Sequence, residues 1–120
     1  MKWNVIISHV GKEVKEFIDD SKQFDLVQDG LRQDMKDYCV FFKGKLPQEP
    51  LCEGDEVLID NTVLYVIALG DKVNESLQKN GAFTIDLSGG IVPSGPGVMM
   101  LDGDYKKLDF IRKGNEISVK

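Results

Sequence analysis

Few residues in this chain are equipped for chemistry, and they stand far apart. The one histidine is His9. Imidazole has a pKa of about 6.5, so near neutral pH most of it carries a free lone pair and is nucleophilic. In that role His9 would accept an electrophile such as a phosphoryl group. In the plainer reading it is a polar residue near the end of a strand. The two cysteines are Cys39 and Cys52. A reactive thiol needs a lowered pKa, supplied by a nearby cation or a helix start. Lys43 shares a face with Cys39 if the segment between them is a strand. The plainer reading of Cys39 is a small buried apolar side chain. Cys52 has Glu49 and Glu53 nearby, whose charge disfavours a thiolate. With no CxxC spacing and one histidine, a structural zinc site is not expected. Gly89-Gly90 and Gly95-Pro96-Gly97 lack the strand–loop–helix frame and the Lys-Ser/Thr of a phosphate-binding loop. Asp102 and Asp104 are spaced like calcium ligands, but no glutamate follows where such a loop needs one. The sequence calls for no cofactor and no metal.

Composition narrows the class. With 120 residues, one domain spanning 1–120 is expected. Hydrophobic content of 42% and charged content of 29% fit a globular protein that needs no disulfide. The 20 acidic and 15 basic side chains leave a net charge of -5. That balance speaks against nucleic acid and anionic membrane as partners, since both require phosphate neutralisation. Val5-Ile6-Ile7 is too short for the apolar core of a signal peptide, and nothing approaches a membrane-spanning length. The expectation is a cytoplasmic chain with reduced thiols.

The elements that must position these residues are mostly short strands. Leu51 to Asp71 is the organising stretch. Two β-branched runs flank a polar pair, with Asn61-Thr62 read as the hairpin loop. Val63 to Leu69 is almost unbroken apolar sequence, so it is read as a strand covered on both sides. Before it come a strand over Trp3 to Val10 and an amphipathic helix within Lys12 to Asp20, carrying Val14, Phe17 and Ile18. A short strand at Phe24 to Val27 follows, then a turn at Gln28-Asp29-Gly30. Leu31 to Tyr38 is read as a short helix with Leu31, Met35 and Tyr38 on one face. Cys39 to Phe42 is a strand in which Phe41 and Phe42 point to opposite sides, one into the core. After the hairpin, Asp71 is placed to cap a helix bearing Val73 and Leu77, which Asn80-Gly81 ends. Ala82 to Leu87 alternates like a strand with one solvated face. Ser88 to Gly97 is loop. Strands are then expected at Val98 to Leu101, Leu108 to Ile111 and Glu116 to Val119. The sum is a mainly β fold, a single small barrel of seven or eight short strands with two or three short helices.

An ordered set of residues adds a resemblance. Gly54-Asp55, Tyr65-Val66, Leu69-Gly70, Leu77, Gly81, Thr84, Gly89 and Pro96-Gly97 occur in the order and spacing of one family. That family is the glucitol/sorbitol-specific enzyme IIA component of the bacterial phosphotransferase system. The match runs without gaps from Gly44 to Gly97, and the closing Gly114-x-x-Ile117 is similar too. The resemblance implies a β-barrel phosphocarrier. A histidine would take a phosphoryl group from the general phosphocarrier protein and pass it to a IIB domain, which acts with the IIC membrane component. Contact with the membrane would come only through such partners, and a homo-oligomer is left open. The family's acceptor histidine falls here on Phe41, or on Phe42 if one gap is allowed so that Cys39 aligns. A second family histidine falls on Lys43 and a third on Ala82. A phenyl ring cannot bond phosphate. Three functions therefore stand side by side: a carrier in the phosphotransferase system, a non-catalytic regulatory or binding module on the same barrel, and an enzyme or sensor built on the Cys39 thiol.

Overall fold

Short apolar segments, some alternating with polar residues and some continuous, form eight strands among the described residues, each with one side-chain row turned inward. In this computed structural model, residues 1–103 and 111–120 are described. The strands are β1 (Trp3–Val10), β2 (Gln23–Gln28), β3 (Cys39–Lys43), β4 (Glu56–Ile59), β5 (Thr62–Leu69), β6 (Ala82–Asp86), β7 (Val98–Asp102) and β8 (Glu116–Val119). They close into a barrel in the order β1-β3-β2-β6-β7-β5-β4-β8. The pairs β2–β3 and β6–β7 are parallel, and the other six are antiparallel. An eight-stranded barrel has an interior just wide enough for side chains to fill. Here Trp3, Val5, Ile7, Leu26, Phe42, Leu64, Val66, Ile85, Leu101 and Ile117 belong to the buried cluster that fills it. Trp3 meets Phe42 edge-on at 5.1 Å between ring centroids, an arrangement favoured by the ring quadrupoles.

Two helices seal this core. In α1 (Val14–Ser21) the buried residues are Val14 and Ile18, and in α2 (Val73–Asn80) they are Val73 and Leu77. Spacings of four residues put each pair on one helix face. The helix α2 stops at Gly81, whose φ of +64° is the left-handed conformation that glycine adopts without strain.

Several expectations need correction. The hairpin loop is Asp60-Asn61, not Asn61-Thr62: Thr62 already pairs with Ile59, and the positive φ falls on Asp60. The strand β5 is not covered on both sides. Val63 and Tyr65 are exposed while Leu64, Val66 and Ala68 are buried, because the outside of a barrel faces solvent. Conversely β6 has no solvated face. Ala82, Phe83, Ile85 and Asp86 are all buried, and Asp86 is satisfied by the Gln23 side-chain amide and the Ser88 backbone N–H, each at 2.7 Å. Asp71 does not cap α2, whose N-cap is Lys72 with no side-chain cap bond. The expected strand at Leu108 to Ile111 lies outside the described residues, except Ile111, which is buried.

The segment Leu31 to Tyr38 departs most. It holds only one 3-10 turn, Gln33–Met35, entered through Arg32 at a φ of +49°. Leu31, Met35 and Tyr38 are exposed rather than packed. The reason lies in where its carbonyls go. Arg32 O, Gln33 O and Met35 O each accept from the N–H three residues on, so tight turns replace the four-residue ladder of an α-helix, while Lys36 O accepts from the His9 ring and Asp37 O from the Glu13 backbone. This segment is the crossover that a parallel β2–β3 pair requires. It lies close enough to β1 that a Cβ on Gly11 would fall on the Asp37 backbone. Gly11→Ala is therefore expected to cost about 1–3 kcal/mol through overpacking. Urea unfolding should show a lower midpoint at unchanged slope.

Candidate functional site

The strand β3 sorts its side chains by alternation. Val40 and Phe42 join the barrel core, while Cys39, Phe41 and Lys43 lie on the outer face. Phe41 is only 2% exposed although it points outward. It belongs to a second buried cluster with Val27, Cys39 and Ala82, separate from the barrel interior. Register explains this cluster. Phe41 pairs with Val27, and Val27 pairs with Ala82, so three neighbouring strands carry one row of contacting side chains.

The crossover roofs this row. Leu31 reaches Gly81, where a Cβ would sit 2.8 Å from its Cδ1. Beside Ala82 a cavity of about 140 Å³ opens, lined among others by Asp25, Arg32, Ser76 and Thr84. Thr84 Oγ1 donates to Asp25 Oδ1 at 2.6 Å, and Ser76 Oγ donates to the Ala82 carbonyl at 2.6 Å. Lys43 stands two residues beyond Phe41, exposed, with its ammonium 3.8 Å from Asp29 Oδ2.

His9 extends the same row by one strand. A bulge interrupts the β1–β3 register: Ile7 pairs with Phe42, and His9 pairs with Phe41. Ser8 is the extra residue, and its Oγ is buried without a hydrogen-bond partner among the described residues. Strict alternation after Ile7 would turn His9 into the core. The bulge turns it to the outer face instead, as bulges beside functional sites commonly re-aim a side chain. The ring lies 5.9 Å from that of Phe41, edge-on. Its Nε2 is 3.1 Å from Lys36 O. A carbonyl oxygen only accepts, so Nε2 carries the proton and a neutral ring keeps its lone pair on Nδ1.

The thiols differ sharply. Cys39 is wholly buried. Burial pushes its pKa up, the Asp25 and Asp34 carboxylates add to this, and Arg32 opposes it. Such a thiol stays protonated at neutral pH and lacks the electropositive, accessible setting of a reactive cysteine. Cys52 is exposed, with Sγ 3.4 Å from Pro50 O. The two do not form a disulfide. Among the described residues no three His, Cys, Asp or Glu side chains gather as a metal site, and no helix is long and apolar enough to cross a membrane.

The sequence matches the family described as PTS system glucitol/sorbitol-specific IIA component over residues 2–118. This chain belongs to that family. No curated protein sequence matches the chain. Among solved structures, it is similar to the PTS system IIA component from Enterococcus faecalis V583. Identity is 19%, with 97% of this chain and 98% of that one covered, at a TM-score of 0.76. At that identity the likeness speaks for the fold. As a IIA-family member, the chain is a component of the sugar phosphotransferase system and acts with other components of it.

In this IIA barrel the positions where the family resemblance puts histidines come together. Phe41 and Ala82 share the outer cluster, Lys43 shares the face, and Phe42 stands apart in the core. Sequence reasoning left open which phenylalanine points inward, and it missed the link from His9 to Phe41. One signal was available. Trp3, Val5 and Ile7 keep even spacing, and the next apolar residue, Val10, is out of phase by one. That break marks the bulge. Under native conditions iodoacetamide should label Cys52 and spare Cys39, giving one label per chain by intact mass. Cys52→Ser should then take no label until the protein is unfolded. Rapid labelling of Cys39 in the folded chain would contradict the burial described here.

Proposed function

We propose that this IIA-family barrel serves the phosphotransferase system as a cytoplasmic partner-binding or regulatory member that carries no phosphate on β3. The observation behind this is Phe41. The side chain at the family's acceptor position is a phenyl ring, packed against Val27, Cys39 and Ala82 and almost wholly buried. Phosphoryl transfer requires a nucleophile that an in-line donor can approach, with polar groups to meet the charge on the equatorial oxygens. An apolar cluster under a crossover supplies neither. What remains suited to the system is the outer surface, on which the general phosphocarrier protein or a IIB domain would dock.

A second reading rests on the bulge. His9 stands directly across from Phe41, on the face where the family resemblance puts the acceptor, with one ring nitrogen held by Lys36 O and the other bearing the lone pair. That geometry suits an acceptor moved by one strand. The two readings separate by intact mass after incubation with phosphoenolpyruvate, enzyme I and the general phosphocarrier protein. The expected result is no gain of a phosphoryl group by the native chain or by His9→Ala. A gain by the native chain that His9→Ala abolishes would overturn the binding-module reading and place the acceptor on β1. A gain that survives in His9→Ala would overturn it in favour of another nucleophile.

A further inference from the structure

The helix α1 and the β2–β3 crossover face each other across an open groove. Its walls are Phe17 and Ser21 on one side and Met35 and Tyr38 on the other, with Gln23, Phe24 and Asp25 between them. Its volume is about 350 Å³. Phe17, Met35 and Tyr38 are 41%, 38% and 43% exposed, and Leu31 on the same crossover is 41% exposed. The Phe17 and Tyr38 rings are 5.9 Å apart. Folding accounts for Val14 and Ile18 of α1 but leaves Phe17 in water. Large apolar side chains gathered on one face mark an interaction site more often than chance exposure does.

The rim of the groove is acidic. Residues 12–38 hold eight Asp or Glu against five Lys or Arg. Glu13, Glu16, Asp19 and Asp20 line α1, and no ion pair neutralises them among the described residues. Glu16 feels the crowding. Glu13, through a hydrogen bond and its charge, pushes the Glu16 carboxyl above its usual range, with Asp20 and Asp19 adding to this. Glu13 and Asp20 are one turn either side of Phe17 and share its side of the helix.

We propose that this groove docks an α-helix of a protein partner, one whose apolar ridge is flanked by lysines and arginines. The inference rests on the partner-binding reading and names its surface. Charge complementarity decides the occupant. Nucleic acids and anionic bilayers would meet carboxylates of like sign. A second copy of this chain carries a net charge of -5 and has no basic run to offer. A basic amphipathic helix satisfies both features: its ridge fills the aromatic groove and its cations meet the acidic rim.

The test uses the full ¹⁵N-labelled chain and a synthetic Leu/Lys amphipathic helix of about 18 residues, five turns. A Leu/Glu peptide of the same apolar pattern is the control. The Leu/Lys peptide should give saturable shift changes confined to residues 13–38, and the Leu/Glu peptide none. Phe17→Ala, Tyr38→Ala and the double reversal Glu16→Lys with Asp20→Lys should each weaken binding by about tenfold or more, as expected for interface anchors. Tyr65→Ala, an exposed aromatic on β5, should leave it unchanged. All of these side chains are exposed, and spectra unchanged elsewhere confirm the fold of each variant. No saturable binding, equal binding of both peptides, or shifts centred on another face would overturn the proposal. So would shift changes at these residues that appear with protein concentration alone, which would assign the groove to a second copy. Phosphate uptake in the mass experiment would sink the partner-binding reading whatever the peptides do. Absent peptide binding without phosphate uptake would sink only the groove.

Discussion

Closing the sheet with two parallel pairs constrains everything outside it. An antiparallel pair can be joined by a hairpin, but β2–β3 and β6–β7 each need a chain that leaves the barrel and returns. The interior is already filled by the alternating apolar rows, so the return path runs across the outside. For β2–β3 that path is residues 29–38, held against β1 by the Gly11–Asp37 approach and by bonds from His9 and Glu13. The outer cluster of Val27, Cys39, Phe41 and Ala82 exists because this crossover lies on it. The groove beside α1 exists because the same crossover turns Met35 and Tyr38 away from the barrel.

The chemistry of the site follows from that roof. A buried outward position favours apolar side chains, and Phe41 and Ala82 supply them where the family resemblance places histidines. Their packing carries Cys39 with it, and desolvation holds the thiol protonated. Polar groups are kept at the border: Thr84 with Asp25, Ser76 with the Ala82 carbonyl, Lys43 with Asp29. The arrangement is an apolar outer cluster with a polar border.

Much of this was legible in the residues themselves. The segments β1, β2, β3, β7 and β8, the two helices and the stop at Gly81 follow from local pattern and turn chemistry, which act over a few residues. The barrel and the family followed from the spacing of glycines and strands. What stayed hidden depends on pairing between distant segments. The row from His9 through Phe41 and Val27 to Ala82 is a matter of register, and its two ends lie 73 positions apart in the chain. The same limit explains the errors on β5 and β6. Local sequence shows which residues are apolar but not which outer face a crossover will cover. The segment Leu31 to Tyr38 has helical spacing, yet its carbonyls close three-residue turns and the last two hold His9 of β1 and Glu13 just before α1, which no local rule includes.

The single unpaired residue in β1 has an evolutionary consequence. Side chains alternate with a period of two, so one residue gained or lost in a strand exchanges its inner and outer rows up to the next turn. At Ser8 the bulge absorbs the extra residue and prevents that exchange: His9 stays opposite Phe41 and Val10 opposite Val40 up to the end of β1. Removing Ser8 would set His9 next to Ile7 in regular alternation, with His9 still opposite Phe41 on the outer face and Val10 still turned inward. The face on which the imidazole stands is therefore held by the β1–β3 register, and a barrel of this kind can gain or lose a residue at this point and keep the same side chain outside.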